Sequence, residues 1–119
     1  MLSMEVERLT PNEYQQLALR TERGMDKTYP RIINGLMGLC GEAGEAIDIL
    51  KKHIAQGHEL NVPHLAKELG DVAWYLAVSA DAIGYDLETI FQMNIGKLNA
   101  RYPNGFESVR SIHRKDGDI

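Results

Sequence analysis

Apolar residues recur at steps of three and four along two long stretches of the chain, which is the period of a helix with one buried face. The first stripe consists of Leu36, Cys40, Ala43, Ile47, Leu50 and Ile54. The second stripe consists of Leu65, Leu69, Val72, Leu76 and Ile83. Since no segment shows a convincing two-residue alternation, the pattern predicts an all-α fold with a four-helix bundle-like core.

Start and stop signals predict where four helices lie. Thr10 can cap the first helix, Pro11 suits its first position, and Glu13 completes a capping box. Gly57 is predicted to end the second helix, and Asp86 is predicted to cap the fourth. The predicted helices span about residues 11–23, 29–56, 63–84 and 87–102. Their lengths and short connections are typical of neighbouring antiparallel helices.

Length and charge restrict the class of protein. A chain of 119 residues with 44% hydrophobic content suits one domain, with a core at about 10–106 and a C-terminal extension at 107–119. Its net charge of −4 argues against nonspecific binding to nucleic acid or to an anionic membrane. The single cysteine cannot form an internal disulfide, and no signal peptide or membrane span is recognisable, so we expect a cytoplasmic protein.

Two pairs of acids are spaced i, i+3 on consecutive helices. Glu42 and Glu45 lie on the second helix, and Glu68 and Asp71 lie on the third. Such a pair is usually solvated helix surface, but here each stripe continues into apolar residues, as at Ile49. Four carboxylates that converge at the edge of a buried surface would repel one another, and a hard divalent cation such as Mg²⁺ or Mn²⁺ would relieve the repulsion. Zinc is disfavoured because thiolate and histidine pairs at zinc spacing are missing.

Four glycines at every third position surround the first acid pair. Gly35 and Gly38 project onto nearly the same stripe as the acids, where they would allow close approach of a ligand or of another helix. Both readings stay open at this point. Gly41 and Gly44 point elsewhere, and the sequence supplies no reason for them beyond packing.

Three segments together resemble the MazG-like nucleoside triphosphate pyrophosphohydrolases, which belong to the all-α NTP pyrophosphatase superfamily. They read MGLCGEAGEAIDILKK, AKELGDVAWYLA and NIGKLNARYPNGF. The superfamily motif E-x-x-E, then E-x-x-D, is present at all four acids, and the resemblance extends from about Tyr14 to Phe106. It implies Mg²⁺-dependent cleavage of a nucleoside triphosphate to the monophosphate and pyrophosphate. It also implies Glu42, Glu45, Glu68 and Asp71 as metal ligands, with Glu45 as a candidate base for the attacking water.

A polyanionic substrate also requires groups that neutralise phosphate. Asn94, Lys97 and Arg101 lie close to one face of the fourth helix, and we expect Asn94 to point inward. Lys97 and Arg101 could bind phosphate oxygens, or they could cover the core as surface residues. Lys52 is a further candidate, with a favourable charge at the helix C-terminus as its alternative role.

Aromatic residues beside the second acid pair are candidates for stacking on a base. Tyr75 lies on the acid stripe and Trp74 borders it, although core packing or a subunit interface would explain both residues equally well. Cys40 is expected in the core, and the four histidines are expected on the surface. The basic tail around Arg114 is expected to be a solvated, disordered extension.

We predict a homo-oligomer, a dimer or a tetramer, because so small a unit with apolar seams often needs a partner to cover them. The resemblance also implies dimers or larger assemblies. Two alternatives remain open. One is a non-catalytic helical module that binds a protein partner, and the other is a related pyrophosphohydrolase that acts on phosphoribosyl-ATP. The segments that read GLxGExGE and KLxxRYPxGF make the latter less favoured.

Overall fold

A computed structural model describes residues 8–23, 28–115 and 117–119, and within these ranges the chain forms helices and no strand. The helices are α1 (Pro11–Leu19), α2 (Thr28–Gln56), α3 (Val62–Ala82), α4 (Leu87–Arg101) and α5 (Ser108–Ile112). The predicted all-α class is confirmed. Residues 1–7, which contributed to the expectation of no signal peptide, lie outside the described part.

Three of the predicted helix ends are confirmed by the local geometry. The Thr10 hydroxyl accepts from the Glu13 N–H at 3.1 Å, and the Glu13 carboxylate accepts from the Thr10 N–H at 2.9 Å, which forms the capping box. Asp86 accepts from the Thr89 N–H at 2.7 Å and caps α4. Gly57 has a φ of 75°, a left-handed conformation that ends α2 at no cost to a side chain.

The first helix is shorter than predicted because a threonine competes for its last turn. It ends at Leu19 rather than near residue 23. The Thr21 hydroxyl donates to the Ala18 carbonyl at 2.8 Å and accepts from the Trp74 indole N–H at 2.8 Å. This side chain therefore replaces the continuation of the helix and joins its end to α3.

Helices α2 and α3 form a close antiparallel pair. At one end, Arg31 Nη2 lies 2.7 Å from an Asp81 oxygen and 2.9 Å from a Glu22 oxygen. Further along, Gly35 lies against Ser79, and Gly38 lies against the ring of Tyr75, so that an added Cβ would clash at either glycine. Of the two readings of these glycines, close helix packing is the one the structure supports.

The buried core is small and lies where α1, α3 and α4 meet. Ala18, Ala77 and Leu87 are at most 5% exposed there. Gln15 is also buried, and its side chain donates to the Ala77 and Tyr85 carbonyls at 3.1 Å each and accepts from the Leu87 N–H. Every polar group of this glutamine amide is thus used to join three helices.

The apolar stripe predicted to pack α2 into the bundle is instead largely exposed, so this prediction was wrong for the single chain. Leu36 is 50% exposed, Ile47 is 60% exposed and Ile54 is 73% exposed. Cys40, expected in the core, is exposed as well. The physical reason is that α3 packs on the opposite face of α2, where the small Gly35 and Gly38 allow closer approach.

Helix α4 contacts α1 and α3 near its beginning, and residues 91–100 are all exposed. The expectation that Asn94 points inward is therefore wrong. The radius of gyration is 17.5 Å, whereas a compact chain of this length would have about 13 Å. None of the described helices combines the length and apolar character that crossing a membrane would require.

Candidate metal centre

Three carboxylates converge between α2 and α3, one turn beyond the glycine contacts. Glu42 comes from α2, and Glu68 and Asp71 come from α3. One potential ligand oxygen from each residue lies within 4.8 Å of the others. The close antiparallel packing that brings Gly38 against Tyr75 also brings Glu42 opposite the acids of α3.

The convergence of these carboxylates leaves two of their oxygens without a hydrogen-bond partner among the described residues. Burial, a hydrogen bond with the adjacent Glu68 carboxylate and the charges of Glu45 and Asp71 together raise the pKa of Glu42 to about 7. Oε2 of Glu42 and Oε2 of Glu68 are both buried and lack a hydrogen-bond partner among the described residues. Unpartnered buried carboxylate oxygens are costly, and a cation bound between these residues would satisfy both atoms.

The chain matches the family described as the MazG nucleotide pyrophosphohydrolase domain over residues 33–106. This is more than half of the chain, and it includes all four acids. The chain belongs to the MazG family.

A relative in a phage has a similar sequence. Over 73 residues the chain is 40% identical to the "Gene 37 protein" of Mycobacterium phage L5. The match covers 58% of this chain and 64% of the phage protein, so it spans somewhat less than two thirds of that relative. No solved structure matched the chain.

One residue beside the acid cluster of this MazG-family chain was missed from the sequence. His64 Nε2 lies 3.2 Å from Oε1 of Glu68, whose side chain is only 13% exposed. The two residues are spaced i, i+4 on α3, a spacing that the sequence already displays. His64 was expected on the surface without a role, and its side chain is indeed 54% exposed. Its Nε2 nevertheless contacts Oε1 of Glu68, the oxygen next to the unpartnered Oε2.

Glu45 lies beside the three-residue cluster rather than within it. Its side chain is exposed, yet it is close enough for its charge to raise the pKa of Glu42. Lys52, about two turns further along α2, lies 3.1 Å from an Asp48 oxygen and is 49% exposed. In the single chain its charge therefore faces Asp48, whose pKa it lowers mainly by hydrogen bonding.

The structure does not bring the candidate phosphate ligands of α4 to the acids. Asn94 and Lys97 are exposed, and Arg101 forms a two-bond ion pair with Asp118 at 2.9 and 2.7 Å. The expected disordered tail instead folds back to supply that aspartate. These residues belong to a separate, basic region at the end of α4.

The two aromatic candidates have contacts within the chain. Trp74 and Tyr75 meet edge to face, with ring centroids 4.9 Å apart. The Trp74 indole donates to Thr21, and the Tyr75 ring occupies the space that Gly38 leaves free. For these residues the observed contacts support core packing rather than a free stacking surface.

Proposed function

We propose that this MazG-family chain is a Mg²⁺-dependent nucleoside triphosphate pyrophosphohydrolase that converts an NTP or dNTP to the monophosphate and pyrophosphate. The main observation that supports this proposal is that Glu42, Glu68 and Asp71 converge and that two of their carboxylate oxygens are buried without a hydrogen-bond partner among the described residues. The family match supports the reaction class. On this proposal residues 1–119 form one domain that contributes to control of the nucleotide pool in the cytoplasm.

The donor set fits a hard cation. All three groups supply carboxylate oxygen, which Mg²⁺ and Mn²⁺ prefer, and the described cluster contains neither a thiolate nor two imidazoles. A bound Mg²⁺ would neutralise phosphoryl oxygens and lower the pKa of a water molecule. Glu42, Glu68 and Asp71 would hold it, with His64 fixing the carboxylate of Glu68.

The position of Glu45 suits a different role. Because its exposed carboxylate lies at the rim of the cluster, it can remain uncommitted and accept a proton from the attacking water. Attack at the α-phosphorus forms a new P–O bond as the bond to pyrophosphate breaks. The proton passes to Glu45, and pyrophosphate leaves with the electron pair of the broken bond.

We also propose that the chain works as a homo-oligomer, a dimer or tetramer. The exposed apolar stripe of α2, the small core and the extended shape all support a partner surface. A second copy could also bring lysine or arginine side chains to the acids, which the described residues of a single chain do not. Sedimentation equilibrium should show a dimer or larger species, and Ile47→Glu should shift it toward monomer. A monomeric wild-type protein at micromolar concentration would contradict this assembly.

Release of pyrophosphate from a substrate panel tests the proposed activity. The panel contains canonical, deoxy and modified triphosphates together with phosphoribosyl-ATP, each assayed with Mg²⁺. We expect turnover of at least one triphosphate, and we expect the Glu42→Gln/Glu68→Gln variant to abolish it. Turnover of phosphoribosyl-ATP alone would support the related hydrolase instead. The absence of release above this variant's level from every compound would overturn the proposal and favour a non-catalytic module.

A further inference from the structure

An open groove of about 550 Å³ lies on the first turns of α2, before the acid cluster. Its volume is within the range of small-molecule sites. Most of its lining is apolar, and one of its side chains is a neutral amide. The lining residues are Pro30, Ile33, Asn34, Met37 and Gly38. The carboxylates of the cluster are not among them, so the groove is a separate surface.

The groove lies within the length of a nucleotide from the acids. Asn34 precedes Glu42 by eight residues, which places it about 12 Å away along the axis of α2. It precedes Glu45 by eleven residues and lies within about 20° of it around the helix, so the two side chains share one face. A nucleotide whose α-phosphorus lies at the acids can therefore extend its sugar and base along this face to the groove.

The charges along α2 favour one orientation of such a nucleotide. Beyond the acids, toward the end of the helix, Lys51 and Lys52 lie 3.5 and 3.1 Å from oxygens of Asp48. Lysine ammonium groups suit phosphate oxygens. The groove lies on the other side of the acids, and none of its described lining residues carries a charge. The pyrophosphate group is thus best placed toward the lysines, and the uncharged base toward the groove.

The lining of the groove suits a nucleobase. Ile33 and Met37 are 42% and 70% exposed, so their apolar side chains are available to cover a flat ring. Asn34 is also exposed, and its amide has an oxygen that accepts and an NH₂ group that donates. Such an amide makes paired hydrogen bonds to a base edge with an adjacent donor and acceptor, as asparagine does with adenine in nucleic acids.

We propose that this groove binds the base of the nucleoside triphosphate and that the Asn34 amide determines specificity by hydrogen bonding to the base edge. The assignment rests on the proposed hydrolase function, because that function places the α-phosphorus at the acids. The substrate is then a triphosphate whose base carries an adjacent donor and acceptor, rather than any compound with a phosphate chain.

A comparison of two ligands tests the role of Asn34 in the full chain. One is the nucleoside triphosphate of the panel that turns over fastest, and the other is inorganic triphosphate, used with Mg²⁺ as a competitive inhibitor. Asn34→Leu should lower kcat/KM for the nucleotide roughly tenfold, because the hydrogen bonds to the base are lost. The inhibition constant of inorganic triphosphate should not change. The matched control, Gln56→Leu, removes an exposed amide from the other end of α2 and should behave as wild type with both ligands.

A binding measurement does not depend on turnover. The side-chain amide resonance of Asn34 in a proton–nitrogen spectrum is assigned by its loss from the Asn34→Leu spectrum. With Mg²⁺ present, this resonance should shift when a nucleotide analogue with a methylene group between the α- and β-phosphorus atoms is added. The analogue cannot be cleaved to pyrophosphate. Inorganic triphosphate should leave the resonance in place, since it has no base.

Three results would overturn the base site and leave the hydrolase proposal intact. One is an Asn34→Leu variant that hydrolyses the nucleotide as the Gln56→Leu control does. Another is an equal loss for the nucleotide and for inorganic triphosphate, which would indicate a structural role for Asn34. The third is an unmoved Asn34 resonance at saturating analogue. If no triphosphate of the panel is hydrolysed, the hydrolase proposal fails, and the Asn34 resonance, followed with the analogue of each nucleotide, alone decides the base site.

Discussion

The acid cluster between α2 and α3 and the basic region at the end of α4 differ in how their charges are neutralised. In the cluster, Glu42 and Glu68 have buried oxygens without partners, and the pKa of Glu42 is raised to about 7. In the basic region, Arg101 is paired with Asp118 of the same chain, and hydrogen bonding to Arg101 lowers the pKa of Asp118. The first region has buried oxygens that no described residue satisfies, whereas the second is neutralised within the chain.

The two regions therefore differ in how readily they bind an added ion or ligand. Crowded like charges weaken the metal-free fold but are ready to bind a cation, because binding removes the repulsion. A charge that is paired within the chain is already stabilised in the free protein, and an external ligand must displace the paired side chain before it can bind. The two regions should therefore respond in opposite directions to charge-removing substitutions.

The largest effect should follow removal of a metal ligand. Asp71→Asn should lower the rate of pyrophosphate release by about 100-fold or more, because it neutralises one of the three carboxylates proposed to hold the ion. Steady-state assays at saturating Mg²⁺ measure it. Glu59→Gln, an exposed acid in the α2–α3 loop, is the matched control and should retain wild-type rates. Equal rates in the two variants would rule Asp71 out of the site.

The next effect concerns the packing that brings the acids together. Gly38→Ala should destabilise the protein by about 1–3 kcal/mol, because the added Cβ clashes with the Tyr75 ring. Gly41→Ala has no atom within 4 Å of its added Cβ, and it should be neutral or stabilise by up to about 1 kcal/mol. Denaturant unfolding of both variants makes the comparison. A Gly38→Ala variant as stable as Gly41→Ala would show that α2 and α3 are not so close.

A smaller effect should come from the histidine beside the cluster. His64→Ala should weaken Mn²⁺ binding roughly tenfold, because Glu68 loses the contact that orients it. His64→Gln should recover part of this affinity, since its amide can still donate to Glu68. Calorimetry with Mn²⁺ measures the three proteins, with His58→Ala as control. If His64→Ala and His58→Ala bind Mn²⁺ equally, His64 has no positioning role.

The smallest effect is a pair of opposite pH dependences of thermal stability in metal-free protein. The pKa of Glu42 is raised from 4.5 to about 7, so the folded state holds its proton longer and stability should fall as pH rises across that window. The pKa of Asp118 is lowered from 3.8, so its contribution is present above that value and is lost as pH falls below it. Melting curves should show both trends, with Glu42→Gln flattening the first and Asp118→Asn the second. A midpoint that rises between pH 5 and 7 would contradict the first trend.

Local signals in the sequence predicted most of the fold. Caps and stop residues such as Thr10, Asp86 and Gly57 act within a few residues of themselves, so their consequences are readable without tertiary information. The i, i+3 acid pairs predicted a cluster of four carboxylates, of which Glu42, Glu68 and Asp71 lie together and Glu45 lies beside them. The spacing of His64 and Glu68 was readable too, but one histidine beside one acid is too common a pattern to select a site.

Long-range relations could not be predicted in the same way. The stripe through Leu36 and Ile47 was correctly seen as apolar, but periodicity does not say whether the covering surface lies in the same chain. The pairing of Arg101 with Asp118 depends on an arm that folds back, which no local pattern indicates. Asn94 was expected to point inward because it shares a helix face with the apolar Leu87 and Phe91, whereas only the beginning of α4 packs on the other helices.

The central claim is that the cluster of Glu42, Glu68 and Asp71 binds a divalent cation. Anomalous diffraction from crystals grown with Mn²⁺ tests it most directly, because Mn²⁺ suits the same oxygen ligands as Mg²⁺. We predict an anomalous peak bounded by these three carboxylates and absent from Glu42→Gln/Glu68→Gln crystals. A wild-type map with Mn²⁺ only at other positions, or none between these carboxylates, would contradict the account.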